Sequence, residues 1–176
     1  MVSLTDIREP VTADFLIGFT DLRAFLRVAK KLETSSRLFA FLDELAERME
    51  AVVSESSGKI LKYIGDAALI VFPGDDADAG IRTLLELKRA VDDHIASHGF
   101  DSRLVVAAHF GEATAGPFGP QKRLDILGES VNRAAVPPRS EQRSDFTITP
   151  EAFRKLEPET RTYFRKHTPP IVYVTR

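Results

Sequence analysis

The chain predicts an α+β fold, with helices packed on a mixed sheet, and two observations carry that expectation. Short apolar runs with strand character alternate with segments whose apolar residues recur at helical spacing. Two of those runs, 59–64 and 67–72, are separated only by Gly65-Asp66, and a two-residue connection joins its strands antiparallel. A doubly wound parallel sheet does not accommodate such a hairpin.

Each element follows in turn. Residues 1–10 read as a polar arm ending at Pro10, and 11–176 as one domain. The run 13–19 is a buried strand that ends at Thr20-Asp21. From Leu22 onward, Leu22, Phe25, Leu26, Ala29 and Leu32 mark a helix. A second helix is capped by Ser35 or Ser36 and carries the stripe Leu38, Leu42, Leu45, Met49 and Val52, with Gly58 as its C-terminal cap. The phenylalanines of this helix belong to the core. After the hairpin, a helix over 77–98 is capped by an upstream aspartate and closed by Gly99. Strands at 103–110 and 123–127 flank the glycine-bearing segment EATAGPFG. A short helix over 130–136 stops at Pro137-Pro138. A strand at 146–148 leads into a helix opened by Thr149-Pro150, and 171–174 is the last strand.

Composition narrows the function. The 176 residues are 43% hydrophobic and 28% charged, ordinary for a globular domain able to bury a core. A formal net charge of -2 lacks the basic excess of a protein that lives on nucleic-acid phosphates, so no nucleic-acid partner is expected. The absence of cysteine removes disulfides, zinc-thiolate sites and cysteine nucleophiles. No apolar run approaches the roughly 20 residues of a membrane helix, and the expectation is a cytoplasmic protein without membrane partners.

Four charged residues stand out. Asp21 either caps the helix that follows it or, beside free N–H groups at that helix start, faces phosphate and metal. Asp66 is either ordinary turn chemistry or a second metal ligand. Two aspartates on neighbouring strand ends are what two hard cations bridging phosphate oxygens require. Lys62 and Asp125 lie inside apolar strands, in KILKYIG and RLDILG. Each is a solvent-facing charge or part of a base-reading pair: adenine's N6 amino donor and N1 acceptor match a carboxylate and an ammonium, and guanine presents the reverse. His94, His98, His109 and His167 show no metal-ligand spacing such as HExxH, and His109 reads as a core histidine. GPFGPQK is not a P-loop, and Ser54, Ser56 and Ser57 form no nucleophile elbow.

Four stretches, FLIGFTDLRAF, GKILKYIGDAALIVF, VVAAHFGEATAGPFG and RLDILGESVNRAA, stand in an order and spacing that resembles the class III nucleotidyl cyclase catalytic domain, over roughly residues 11–174. The resemblance implies a ferredoxin-like mixed sheet and an adenylate cyclase that converts ATP to 3′,5′-cyclic AMP and pyrophosphate. It implies that Asp21 and Asp66 carry two Mg²⁺ or Mn²⁺ ions, that Lys62 and Asp125 select adenine, and that Asn132 orients the ribose. A guanylate-type member would show Glu at position 62. Backbone amides from Phe19, Thr20, Asp21 and Leu22 would face the β- and γ-phosphates, and Arg165 or Lys166 would supply a triphosphate-binding cation. It further implies a head-to-tail homodimer, or a heterodimer with another cyclase. There, Asp21 and Asp66 of one subunit meet the base-reading residues and asparagine of the other.

The chain departs from the family pattern at Val136, where an arginine would contact the α-phosphate in the transition state, and Arg139 lies just beyond the two prolines. Ala24 and Leu26 replace a usual glycine and threonine, with effects expected on packing. The alternative expectation is a catalytically silent cyclase-like module that binds nucleotide or a partner cyclase. A metal-dependent phosphohydrolase fits less well, because no further acidic or histidine cluster to activate water is visible in the sequence.

Overall fold

A computed structural model describes residues 3–135 and 144–176. Among them, eight strands form one mixed sheet, with the α+β architecture expected. The strands are β1 (Val11–Arg23), β2 (Lys59–Ile64), β3 (Ala67–Pro73), β4 (Arg103–Phe118), β5 (Arg123–Leu127), β6 (Phe146–Ile148), β7 (Phe164–His167) and β8 (Val172–Thr175). Their order is β2-β3-β1-β4-β6-β8-β7, with β5 pairing β4. All pairs are antiparallel except β4 with β6. The helices are α1 (Phe25–Leu32), α2 (Ser35–Val53), α3 (Ala77–Ser97), α4 (Glu129–Ala135), α5 (Pro150–Arg154) and α6 (Pro158–Arg161).

Alternation along the central strands separates two apolar layers. Leu16, Ile70 and Phe72 point into the larger one, with Phe41, Leu45, Met49 and Val53 of α2 and Ile81, Leu84, Leu87 and Val91 of α3. Phe15, Ile17, Leu69 and Val71 point the other way, where Ala134 of α4, Ile126 of β5 and Leu4 and Ile7 of the N-terminal arm cover them. The stripe of α2 thus runs through Phe41 and Val53, while Phe39 of the same helix is exposed and not core.

Several local expectations are corrected. The first strand does not stop before Asp21, and Asp21 does not open a helix. Pairing with the long β4 continues to Arg23↔Arg103, which keeps 20–23 extended. The turn comes at Ala24, at φ 59°, and α1 follows without a side-chain cap. EATAGPFG is not a break but part of β4, held extended by β1 on one side and β5 on the other. Thr34, not Ser35 or Ser36, caps α2 by accepting from Arg37 N–H. Its C-cap is Ser54; Gly58 is instead small because the Phe72 ring fills the space a Cβ would take. Asp76 precedes α3 without a side-chain capping bond, and Gly99 closes the turn beyond α3 at φ 69°. Two elements escaped the sequence pattern, α6 and the basic edge strand β7, because four-residue segments are too short for either period to show.

One irregularity bears on the site. Between Ile60↔Ile70 and Lys62↔Leu69 the register advances two residues on β2 and one on β3, so Leu61 is an extra, bulged residue. Ile60 packs in the helix layer. Strict alternation would send Lys62 there too. The bulge turns Lys62 to the opposite face, that of Leu69, and returns Tyr63 to the helix side, where its hydroxyl donates to Ala46 O of α2 at 3.1 Å.

Candidate active site

Asp21 and Asp66 come together. Asp21 lies near the end of β1 and Asp66 in the turn between β2 and β3, where Gly65 takes φ 65°. The Leu22 N–H donates to Oδ1 of Asp21 and to Oδ2 of Asp66, both at 3.1 Å. Asp21 is exposed as a residue, yet its carboxyl is pushed up to about 6, first by partial burial, then by its hydrogen bond to Asp66 and repulsion from that charge. The Leu22 N–H opposes this shift. Two carboxyls sharing one N–H form an oxygen-only donor set with surplus negative charge. Such a set fits a hard divalent cation.

A cavity of about 280 Å³ adjoins them, lined by Phe19, Thr20, Asp21, Ala67 and Ala135 among others. Thr20 is buried, and its hydroxyl meets no partner among the described residues. Because 19–22 are strand residues, they offer no helix N-terminus to phosphate; Leu22 N–H is directed to the carboxylates instead.

Lys62 and Asp125 also meet. The ammonium donates to Asp125 Oδ2 at 2.6 Å, and the other Asp125 oxygen accepts from Ile126 N–H at 2.8 Å. Their side chains are 39% and 16% exposed, so the pair is reachable from solvent on one side.

Asn132 is exposed on α4 and lines a different cavity of about 380 Å³, with Ala107, Arg133, Thr147, Thr149 and Val172 among its walls. Arg133, not singled out by the sequence, shares that cavity and pairs with Glu151 at 3.3 Å. Arg165 and Lys166 are exposed on β7, four strands along the sheet from β1, or roughly 19 Å at ordinary strand spacing. A single protomer therefore does not bring them to Asp21. Val136 and Arg139 lie outside the described residues. His109 is a core histidine as expected: its Nδ1 lies 2.9 Å from Thr149 Oγ1, and burial holds it below the ordinary histidine value. No helix of the described residues is long and apolar enough to cross a membrane.

A carboxylate pair at the end of a central strand and an ammonium–carboxylate pair thus share one mixed sheet of an α+β domain. The chain belongs to the adenylate and guanylate cyclase catalytic domain family, whose model matches residues 9–172. It is 25% identical over 134 residues to an adenylate cyclase of Anabaena cylindrica, covering 70% of this chain and 26% of that protein. It is 30% identical over 136 residues to adenylate cyclase 2 of Rhizobium meliloti (strain 1021), covering 73% of this chain and 37% of that protein. The chain thus matches only a part of each relative's length. A bacterial light-regulated adenylyl cyclase superposes with a TM-score of 0.77 at 20% identity, over 96% of this chain and 53% of that one.

Proposed function

We propose that this domain is an adenylate cyclase that forms 3′,5′-cyclic AMP and pyrophosphate from ATP. The observation that carries the choice of ATP is the Lys62–Asp125 pair at 2.6 Å. An ammonium donor and a carboxylate acceptor side by side match adenine N1 and N6, and leave guanine with mismatched, unpaired groups. The lysine side of this ion pair faces solvent, so a base can approach the ammonium from there.

Asp21 and Asp66 would hold the metals, Mg²⁺ or Mn²⁺. When bound there, the cations would lower the pKa of the ribose 3′-hydroxyl and offset charge on the phosphates. O3′ attacks the α-phosphorus in line, the bond to the leaving pyrophosphate breaks, and the hydroxyl proton leaves to solvent. Asn132 would orient the ribose, and Arg165 or Lys166 would meet the triphosphate.

These groups belong to one site only if two chains combine. The cavity over Asp21, about 280 Å³, is lined by none of Lys62, Asp125 and Asn132. Exposed apolar side chains, Ile64, Phe118 and Leu127, sit on the hairpins around the base-reading pair. A head-to-tail homodimer, or a heterodimer with another cyclase, would supply the missing wall and two related sites.

Val136 favours a second reading, a silent nucleotide-binding or dimerisation module, because valine cannot donate to the α-phosphate. Incubation of purified protein with Mn²⁺-ATP separates the readings when cyclic AMP, pyrophosphate and free phosphate are measured individually. Cyclic AMP with equimolar pyrophosphate is the expected result. Free phosphate would indicate hydrolysis, and tight ATP binding without product would favour the silent module.

A further inference from the structure

We infer that Glu44, His94 and His98 form a second metal site, for a borderline transition-metal cation of the Zn²⁺ type, in the helical layer and apart from Asp21 and Asp66. His94 and His98 stand one helical turn apart at the end of α3, and Glu44 reaches them from α2. One ligand atom from each lies within 4.8 Å of the others. Glu44 Oε2 is 3.3 Å from His94 Nε2 and 3.5 Å from His98 Nε2. Ligands held about 2.0–2.1 Å from a tetrahedral Zn²⁺ stand about 3.3 Å apart, so these separations already suit one.

The protons agree with this geometry. His98 Nδ1 lies 3.0 Å from the His94 carbonyl oxygen, which can only accept, so Nδ1 carries the hydrogen. In the neutral ring Nε2 then presents a lone pair to Glu44. Two acceptors at that distance repel unless a cation or a proton lies between them. His94 Nε2 is buried, with its side chain 8% exposed, and makes no hydrogen bond among the described residues.

Aromatic contacts fix both rings in place. Phe41 stacks on His94 and meets His98 edge-on, and Phe100 stacks on His98. Two imidazoles and one carboxylate, with room left for water, form the donor set of a three-ligand zinc site. A bound ion would clip α2 to α3.

The test is titration of the purified protein with Zn²⁺ against a chromophoric chelator, in excess Mg²⁺ to occupy hard-cation sites. A single tightly held Zn²⁺ is expected, together with a rise in melting temperature. Glu44→Gln and His98→Gln, both at partly exposed positions, should each weaken it at least about tenfold. Asp21→Asn should leave Zn²⁺ affinity unchanged. Failure of Zn²⁺ to bind, binding indifferent to both Glu44→Gln and His98→Gln, or binding lost in Asp21→Asn would each overturn the assignment. The first outcome would mean that a proton on His98 bridges to Glu44 instead.

Discussion

The two charged centres on this sheet are built oppositely. Asp21 and Asp66 bring like charges together over a single N–H, and partial burial with that repulsion holds Asp21 up at about 6. Lys62 and Asp125 bring opposite charges to 2.6 Å and satisfy each other. The first centre is electrostatically unfinished without a cation, whereas the second is complete until a ligand opens it. Under the proposed function, affinity for metal and choice of base would be separable properties, held in different pairs.

The sharpest way to break that contrast is to remove one charge from the unfinished centre. Asp21→Asn or Asp66→Asn should reduce Mn²⁺-ATP turnover by more than about a thousandfold, with the fold intact by circular dichroism. Wild-type affinity for Mn²⁺-ATP in both variants would show that the carboxyls do not hold metal.

A second variant adds what neither centre supplies, a donor to charge that develops at the α-phosphate. Restoring such a donor is worth about 10²–10³ in rate. Val136→Arg should raise turnover towards that factor with little change in ATP affinity. Arg139→Ala and Arg133→Ala would slow the wild type only if one of those groups already serves there.

The completed centre is tested by reversing its sign. Lys62→Glu should lower the ATP-to-GTP preference at least about tenfold in competition binding, while leaving metal affinity in place. An unchanged ratio would reduce Lys62 to a surface lysine.

The smallest effect is on stability. The Asp21 carboxyl is raised from 3.8 to about 6, so the folded, metal-free protein binds more protons than the unfolded chain between those values. The associated stabilisation is fully present below 3.8 and is lost as pH rises through about 6. Denaturant midpoints of metal-free protein should fall across that window, and Asp21→Asn should flatten this part of the profile.

The α+β class and most elements were legible because apolar periodicity and one two-residue hairpin are local signals. The 59–64, 67–72, 123–127 and 146–148 runs formed strands at those places. What failed was set by partners distant in sequence. Asp21 reads as a helix opener until β4 is seen to hold 20–23 extended, and EATAGPFG reads as a loop until β1 and β5 flank it. Lys62 and Asp125 were each visible as odd charges in apolar runs, but their contact spans 63 positions. The reading that the histidines show no metal-ligand spacing is corrected: His94 and His98 stand four apart, one helical turn, but without the glutamate of HExxH between them. Glu44, which reaches both, sits on another helix where no motif of consecutive residues extends.

The bulge at Leu61 gives this hairpin a reading frame. With the extra residue in place, Lys62 meets Asp125 and Tyr63 is anchored to Ala46; were the same residues paired without a bulge, in step with Ile60, Lys62 and Tyr63 would change sides. A lysine would then enter the apolar layer beneath α2 and a tyrosine would face the side of the sheet that carries Asp125. Deleting Leu61 would have the milder outcome: the bulge closes, Ile60 and Lys62 become neighbours on opposite faces, and Lys62 stays opposite Leu69. The slip in pairing thus compensates for one surplus residue, and the match between the two keeps the ammonium on Asp125's side of the sheet.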